Sequence, residues 1–223
     1  MTGPARCVVV GAGGAIGGAL AEALEAGGRP VLRLNRPALD LLDEDSIRRA
    51  AETAGTGLVL VIDATGLLHE PGSMPEKRLS ELDPARLARA FAVNATGPAL
   101  LMKHFLPRLA RTERAVFATL SARVGSIADN RAGGWYGYRA SKAALNQLVR
   151  TAAVELARTH KDACCVALHP GTVDSGLSRP FAKAGLELQT PAEAATRLLA
   201  VIDTLTAEQT GLFFDQKGLA IPF

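Results

Sequence analysis

Short apolar runs recur along the whole chain and alternate with stretches of mixed polarity. They lie at residues 7–10, 31–34, 58–64, 115–120, 164–169 and 211–215. Apolar runs without polar alternation are typical of parallel strands that are buried on both faces. We therefore predict a strand at each run. Because helical patterns separate the runs, the predicted fold class is α/β, a doubly wound parallel sheet with helices on both faces.

Four helices are predicted between the strands. The first follows the first strand and ends at a pair of glycines. The second begins at Asp83-Pro84, because aspartate caps a helix and proline is tolerated at its first position. The third covers 136–160, and Pro191 begins the fourth. No repeat or linker interrupts the pattern, so we expect one domain over residues 1–223.

Composition and charge narrow the function classes. The net charge is +3 and charged residues make up 21% of the chain, without long runs of one sign, so we expect no nucleic-acid partner. No stretch reaches the ~18 apolar residues of a membrane span, and we expect no membrane association. Cys7, Cys164 and Cys165 show no metal spacing. They predict core thiols of a reduced, cytoplasmic protein without a metal site.

Glycines follow the first strand directly, where the next helix begins. Gly11, Gly14 and Gly17 form the pattern G-x-x-G-x-x-G, with Ile16 inside it. Backbone N–H groups at the start of such a helix can bind a pyrophosphate. Because the glycines follow a predicted strand and open a predicted helix, we expect Gly11, Gly14, Ile16 and Gly17 to bind a dinucleotide, as in a Rossmann-like fold.

The end of the second strand indicates which dinucleotide is bound. An NAD site typically places Asp or Glu here to accept a hydrogen bond from the ribose 2′-hydroxyl. This chain has Arg33, Asn35 and Arg36 instead, with no acid before Asp40. A guanidinium can bind the additional 2′-phosphate of NADP with charge-assisted hydrogen bonds. We therefore expect NADP rather than NAD, with either arginine as the contact.

The two tyrosines of the chain lie two residues apart, ahead of a predicted helix. A free phenol is a weak acid or base at neutral pH, and a nearby ammonium group lowers its pKa. Lys142 follows Tyr138 by four residues and therefore shares its face of the helix, whereas Tyr136 has Ala140 at that spacing. Tyr138 is the candidate acid–base residue.

The string YRASK at 138–142, the glycine turn and HPGTVDS together resemble the short-chain dehydrogenase/reductase family. The fuller string LSARVGSIADNRAGGWYGYRASKAALNQLVRTAAVELA is similar to the C-factor and sniffer-like carbonyl-reductase branch of that family. The resemblance covers nearly the whole chain. It implies a dinucleotide-dependent oxidoreductase that forms a homodimer or homotetramer through its long helices.

The resemblance also implies residue roles. Tyr138 would be the acid–base residue, Lys142 would hold the nicotinamide ribose, and Asn94 would support a proton-relay water. Further cofactor contacts would come from the remaining motif positions, which are Asp40, Leu41, Ala64, Pro170, Gly171, Thr172, Val173 and Ser175. His69 and His169 match no catalytic position and are expected to be structural.

Three positions depart from the family pattern. Ala15 stands where the glycine turn usually has its middle glycine, and Asp63 replaces the first asparagine of Asn-Asn-Ala-Gly. Ala122 occupies the position of the catalytic serine in Ser-Ser-x-x-Gly. Either another hydroxyl then supplies the second donor to the substrate oxygen, or no serine does. Ser121 at the strand end is the first candidate, and Ser126 and Thr119 are the alternatives.

Two functions remain open on this basis. The first is an NADP(H)-dependent carbonyl reductase or alcohol dehydrogenase acting on a small-molecule carbonyl or alcohol substrate. The intact Tyr138, Lys142 and Asn94 favour it. The second is a non-catalytic dinucleotide-binding signalling or sensor protein, which Asp63 and Ala122 favour. A lid over the site is expected at 176–189, and its mixed composition does not name a substrate.

Overall fold

A single parallel sheet organises the molecule. The computed structural model describes residues 6–181 and 188–223. Six strands hydrogen-bond in parallel in the order β2-β1-β3-β4-β5-β6. They are β1 Cys7–Val10, β2 Val31–Leu34, β3 Leu60–Asp63, β4 Ala115–Leu120, β5 Ala163–His169 and β6 Phe213–Asp215. Each lies at one of the six predicted apolar runs, and three of them have the predicted boundaries.

Six α-helices connect these strands in the described part of the chain. They are α1 Ala15–Ala26, α2 Glu44–Ala54, α3 Pro84–Phe91, α4 Gly97–Phe105, α5 Tyr136–Leu156 and α6 Pro191–Thr204. The sequence pattern did not predict α2 or the continuation of α3 into α4. The signals for α2 are an Asp43 side chain that accepts from the Asp45 N–H and a short buried face at Ile47, Ala50 and Ala51. They are weak beside the long apolar runs.

The helices cover both faces of the sheet, which confirms the doubly wound arrangement. Val9 points to the face where Leu20 of α1 and Leu198 of α6 are buried. Val8 points to the opposite face, where α2, α4 and α5 contribute residues such as Leu145 and Phe105. Both valines are fully buried. The strands are mostly apolar because both faces of the sheet are covered; the exceptions include the buried Asp63 and Thr119 and the exposed Arg33 of the edge strand β2.

The chain reverses its direction of winding next to β1, whose neighbours are β2 on one side and β3 on the other. In open α/β sheets, ligands bind at this point, beyond the carboxyl ends of the strands. The register pairs Val10 with both Leu34 and Asp63. The glycine turn, residues 35–36 and the segment after Asp63 therefore lie at the same edge of the sheet.

A π-helical segment, Ala92–Thr96, joins α3 to α4. Such segments contain one more residue per turn than an α-helix and occur frequently at functional sites. Asp83 caps α3 as predicted, with its carboxylate accepting from the Arg86 N–H at 2.8 Å. Asn94 lies within the π-helical segment and is fully buried.

Within the described parts of the chain, no helix has the length and apolarity that crossing a bilayer needs.

Candidate active site

The glycine turn between β1 and α1 forms a tight cradle at the start of a helix. Gly11 adopts φ +81°, and its N–H donates to the Leu34 carbonyl at 2.8 Å. A Cβ at Gly17 would overlap the Gly11 carbonyl oxygen, so only glycine permits this close approach. No side chain caps the start of α1, and its first turn carries no acid. Ala15 and Ile16 are the first two residues of α1. The backbone N–H groups of this first helical turn are thus free to bind a phosphate.

The two arginines of the second strand region lie in different surroundings. Arg33 donates two hydrogen bonds to Glu25 of α1, at 2.9 and 2.5 Å. Arg36 instead lines the cleft beyond β1, together with Asn35 and the glycine turn. The Asn35 side chain donates to the Arg36 carbonyl at 2.9 Å. Of the two arginines, Arg36 thus lines this cleft, whereas Arg33 is paired with Glu25 and lines a neighbouring groove with Gly13 and Gly14.

Asp40 and Leu41 line the same cleft. The Asp40 carboxylate accepts from the Leu42 N–H at 2.9 Å, and its backbone is held by Ser46 of α2. Leu41 packs against Gly97, where a Cβ would come within 2.8 Å of the leucine Cβ. Ala64 also lines the cleft, whose volume is about 570 Å³. These positions suit contacts to an adenine and its ribose.

Asp63 is a fully buried carboxylate that links β3 to β4. It accepts hydrogen bonds from the Thr65 N–H and hydroxyl and from the Thr119 hydroxyl. Burial raises the pKa of Asp63, while the three hydrogen bonds and the nearby Lys142 oppose that rise. The departure from asparagine therefore preserves a hydrogen-bonded connection between the strands. It adds a titratable group beside the candidate lysine.

Asn94 is held in place by three hydrogen bonds, two to Leu67 and one to Ser141. Its amide group donates to the Leu67 carbonyl at 2.7 Å and accepts from the Leu67 N–H at 2.7 Å. It also donates to the Ser141 hydroxyl of α5 at 3.1 Å. A Cβ at Gly66 would lie 3.6 Å from the Lys142 Nζ and 3.9 Å from the Asn94 Oδ1. Asn94 and Lys142 therefore face the same glycine.

Lys142 points from α5 into the site and donates to the Leu120 carbonyl at 2.7 Å. Only 2% of the residue is exposed. Burial lowers the pKa of Lys142 to about 8, and the charge of Asp63 opposes this shift. Gly125 permits the close packing above the lysine, since a Cβ there would approach the Lys142 Cβ to 2.8 Å. The ammonium group is desolvated and directed by the end of β4.

Tyr138 lies in the first turn of α5, one turn before Lys142. It lines a small cavity with Leu67, His69 and Glu76, whereas Tyr136 does not line it. We expected the lysine to lower the pKa of Tyr138, but burial raises that pKa to about 12. Desolvation dominates because it penalises the phenolate. The phenol is therefore protonated at neutral pH, as proton donation to a carbonyl requires.

The three candidate hydroxyls near β4 differ in what they donate to. Thr119 donates to Asp63 at 2.7 Å, and Ser121 donates to the Asn146 Oδ1 of α5 at 2.7 Å. The Ser126 hydroxyl accepts from the Asp129 N–H at 3.1 Å. Across residues 6–181 and 188–223, the Ser126 proton has no protein acceptor. The proton of Ser121, the first candidate, is used within the fold, so direct donation is simpler from Ser126.

The loop after β5 folds against Gln189. Gly171 adopts φ +77°, and the Gln189 amide donates to the Pro170 carbonyl. The Gln189 backbone N–H donates to the Thr172 carbonyl at 3.1 Å, and Val173 forms a parallel bridge with Gln189. Ser175 follows, and its backbone N–H binds the Ser178 hydroxyl. This fixed backbone suits orientation of a carboxamide.

Several residues at the site carried no signal in the sequence. Asn146 holds Ser121, Gln189 holds the loop after β5, and Trp135 and Phe181 form an aromatic contact with ring centroids 4.9 Å apart. Each acts through a partner that is remote along the chain.

The part of the expected lid at 182–187 lies outside the described residues. His69 contacts the Gly176 carbonyl at 3.1 Å, so it packs at the rim of the site.

Comparison with known proteins places this chain in a family. A family model described as enoyl-(acyl carrier protein) reductase matches residues 5–212. A dehydrogenase of Rhodococcus sp. (strain AD45), named for 1-hydroxy-2-glutathionyl-2-methyl-3-butene, is 34% identical over 184 residues, 82% of this chain and 77% of that protein. The chain belongs to the short-chain dehydrogenase/reductase family. This membership confirms the resemblance drawn from its motifs and makes the chain an oxidoreductase enzyme.

Two further similarities fit this short-chain dehydrogenase/reductase. The C-signal protein of Myxococcus xanthus is 38% identical over 146 residues, 65% of this chain and 83% of that protein. The crystal structure of an NADPH-bound carbonyl reductase from chicken fatty liver superposes with a TM-score of 0.84 at 24% identity, covering 97% of this chain and 93% of that one. The second similarity confirms the predicted Rossmann-like fold.

Proposed function

We propose that the enzyme is an NADP(H)-dependent reductase of small carbonyl compounds, or an alcohol dehydrogenase in the reverse direction, with Tyr138 as acid–base residue. The arrangement at the start of α5 carries this proposal. Tyr138 lines the cavity, Lys142 lies one turn further on the same helix, and Asn94 binds the intervening Ser141. The position of these three residues, two on α5 and one bonded to it, supports a shared role in proton transfer.

The residues of the cleft fit NADP(H). The uncapped start of α1 and the glycine cradle suit the pyrophosphate, and Arg36 suits the 2′-phosphate. Asp40, Leu41 and Ala64 suit the adenosine, and residues 170–175 suit the carboxamide. Lys142 suits the nicotinamide ribose. The bound NADPH of the chicken carbonyl reductase supports the same preference. When bound, this cofactor supplies the hydride.

The protein residues then control the proton. The carbonyl oxygen gains negative charge as the substrate is reduced, and the protonated Tyr138 donates its phenolic proton to that oxygen. The Lys142 ammonium stabilises the phenolate that results, because an opposite charge nearby favours the ionised form. Asn94 is positioned by Leu67 so that its segment of backbone can hold a water for the return of the proton. The hydroxyl of Ser126 or Ser121 would donate a second hydrogen bond to the carbonyl oxygen of the substrate.

Paired tyrosine variants test this proposal. Tyr138→Phe removes only the phenolic hydroxyl, so we expect turnover with NADPH to fall by at least ~10²-fold on a panel of quinones, ketones and aldehydes. NADPH binding, followed by its fluorescence, should persist. Tyr136→Phe is the matched control and should retain most activity. If Tyr136→Phe is the inactive variant, the assignment by lysine spacing is wrong. If neither the unmodified enzyme nor any variant oxidises NADPH, a binding role remains.

The alternative as a non-catalytic sensor has less support from the site. Asp63, which motivated it, is accommodated by Thr65 and Thr119 without displacing Lys142. Ala122 removes one hydroxyl, but Ser121 and Ser126 are both buried nearby. A sensor needs no desolvated lysine beside a tyrosine of the same helix face. Steady-state oxidation of NADPH with any substrate of the panel decides between the two functions.

We also propose that the enzyme assembles as a homodimer or homotetramer in a reducing, cytoplasmic compartment. Leu148 and Val154 of α5 are exposed apolar side chains, which suits pairing of this long helix between subunits. Cys7, Cys164 and Cys165 are free and buried, and burial raises the pKa of each thiol. Light scattering coupled to size-exclusion chromatography measures the assembly; a monomer at micromolar concentration contradicts it.

A further inference from the structure

Glu76 is a buried acid in the loop between β3 and α3 that has no role in the site described so far. Only 6% of the residue is exposed. Its Oε2 accepts a hydrogen bond from the Gly137 N–H, 61 residues further along the chain, at 3.1 Å. Its own carbonyl accepts from the Trp135 N–H at 2.5 Å. Glu76 thus binds the residues on either side of Tyr136, at the start of α5.

The start of α5 depends on this remote contact. The N-terminal N–H groups of a helix usually find a side-chain acceptor at the residue that precedes it. Trp135 occupies that position, offers no side-chain acceptor and adopts φ 53°, a left-handed conformation that is unfavourable for tryptophan. The first turn also carries no acid. Glu76 supplies the missing acceptor and a negative charge that suits the helix dipole.

The contact lies next to the proposed acid–base residue. Gly137 immediately precedes Tyr138, and a Cβ at Gly137 would lie 3.1 Å from the Glu76 Oε1 and 3.3 Å from Leu87 of α3. The ring of Trp135 meets that of Tyr138 edge-on, with centroids 6.3 Å apart. Glu76 and Tyr138 line the same cavity of about 50 Å³. A shift of the helix start would therefore move both aromatic rings.

We propose that Glu76 is a positioning residue for Tyr138. Its carboxylate fixes the Gly137 N–H and its carbonyl fixes the Trp135 N–H, so that the first turn of α5 presents the phenol to the substrate. This inference rests on the proposed role of Tyr138. A displacement of about 1 Å at a reacting group can cost on the order of 10²-fold in rate. The proposed pyrophosphate and adenosine contacts lie on other elements, and Lys142 lies one turn beyond the helix start, so NADPH binding should be little changed.

Three variants test the proposal. Glu76→Ala removes the acceptor, whereas Glu76→Gln keeps an acceptor of the same size without the charge. Glu81→Gln is the matched control, because Glu81 lies in the same loop and accepts from the Lys77 N–H at the surface. We expect kcat to fall at least tenfold in Glu76→Ala and to stay within about threefold in Glu76→Gln and Glu81→Gln. The KM for NADPH should change less than about twofold in all three.

The fluorescence of Trp135 provides a second measurement that does not depend on activity. It is the only tryptophan of the chain, and it lies between Glu76 and Tyr138. Its emission maximum should shift in Glu76→Ala and remain unchanged in the other two variants. Unchanged emission and kcat in folded Glu76→Ala would overturn the proposal, as would equal loss of kcat in Glu76→Gln. If the emission of Glu76→Ala shifts but Tyr138→Phe keeps full activity, the proposed function is contradicted. The contact of Glu76 with the start of α5 is then still supported.

Discussion

Arg36→Ala should weaken binding of NADPH and leave binding of NADH nearly unchanged. Arg36 lines the cofactor cleft, whereas Arg33 is held by Glu25 through two hydrogen bonds. A hydrogen bond to a charged group contributes about 1.5–3 kcal/mol. Its loss corresponds to a decrease in NADPH affinity of roughly 10- to 150-fold. NADH lacks the 2′-phosphate, so its affinity should change less than about threefold.

The measurement is a titration of cofactor fluorescence at constant ionic strength, because phosphate contacts are sensitive to salt. Arg33→Ala is the matched control and should change NADPH affinity less than about threefold, since its exposed ion pair lies with α1. Equal affinity of the unmodified enzyme for NADPH and NADH would refute the reasoning. A larger loss in Arg33→Ala than in Arg36→Ala would place the phosphate on the other side of the glycine turn.

Three further predictions concern the turn, the lysine and the hydroxyls. Gly17→Ala should lower cofactor affinity at least ~10-fold by its overlap with Gly11, whereas Gly18→Ala, whose Cβ would meet its nearest atom at 3.4 Å, should bind normally in the same titration. Asp63→Asn removes a negative charge that raises the pKa of Lys142, so the pKa of Lys142 should fall. The alkaline limb of the pH profile of kcat/KM, which we expect near pH 8, should then move to lower pH. An unmoved limb would contradict the coupling between Asp63 and Lys142. Ser126→Ala should lower kcat by about 10²–10³-fold if it is the second donor, and Ser121→Ala should have a smaller effect; the reverse order assigns the role to Ser121.

The sheet could be predicted from the sequence because most of its strands are buried on both faces, β2 at the edge being the exception. At β1, β2 and β4 the apolar run and the strand coincide, since no polar position blurs their ends. The pair Tyr138 and Lys142 was also predictable, because helical spacing alone places them on one face. Local patterns are sufficient where the physical cause is local.

The remaining features depend on contacts between distant parts of the chain. Ser121 could be placed at the end of β4, but its hydrogen bond to Asn146 depends on how α5 packs against that strand. The sequence did not distinguish Arg33 from Arg36, because the hydrogen bond from Arg33 to Glu25 forms only when β2 packs beside α1. The raised pKa of Tyr138 likewise results from burial, which spacing does not report.

The position of β2 at the edge of the sheet has a consequence for how the enzyme can change. Residues 35–38 are exposed, while Leu34 and Leu39 on either side are buried and anchor the segment. No outer strand depends on the side chains of this loop. We therefore expect that substitutions at Asn35 and Arg36 can alter cofactor preference without disturbing the core. In this loop, natural or laboratory selection could thus change the preference of the enzyme between NADPH and NADH at little cost in stability.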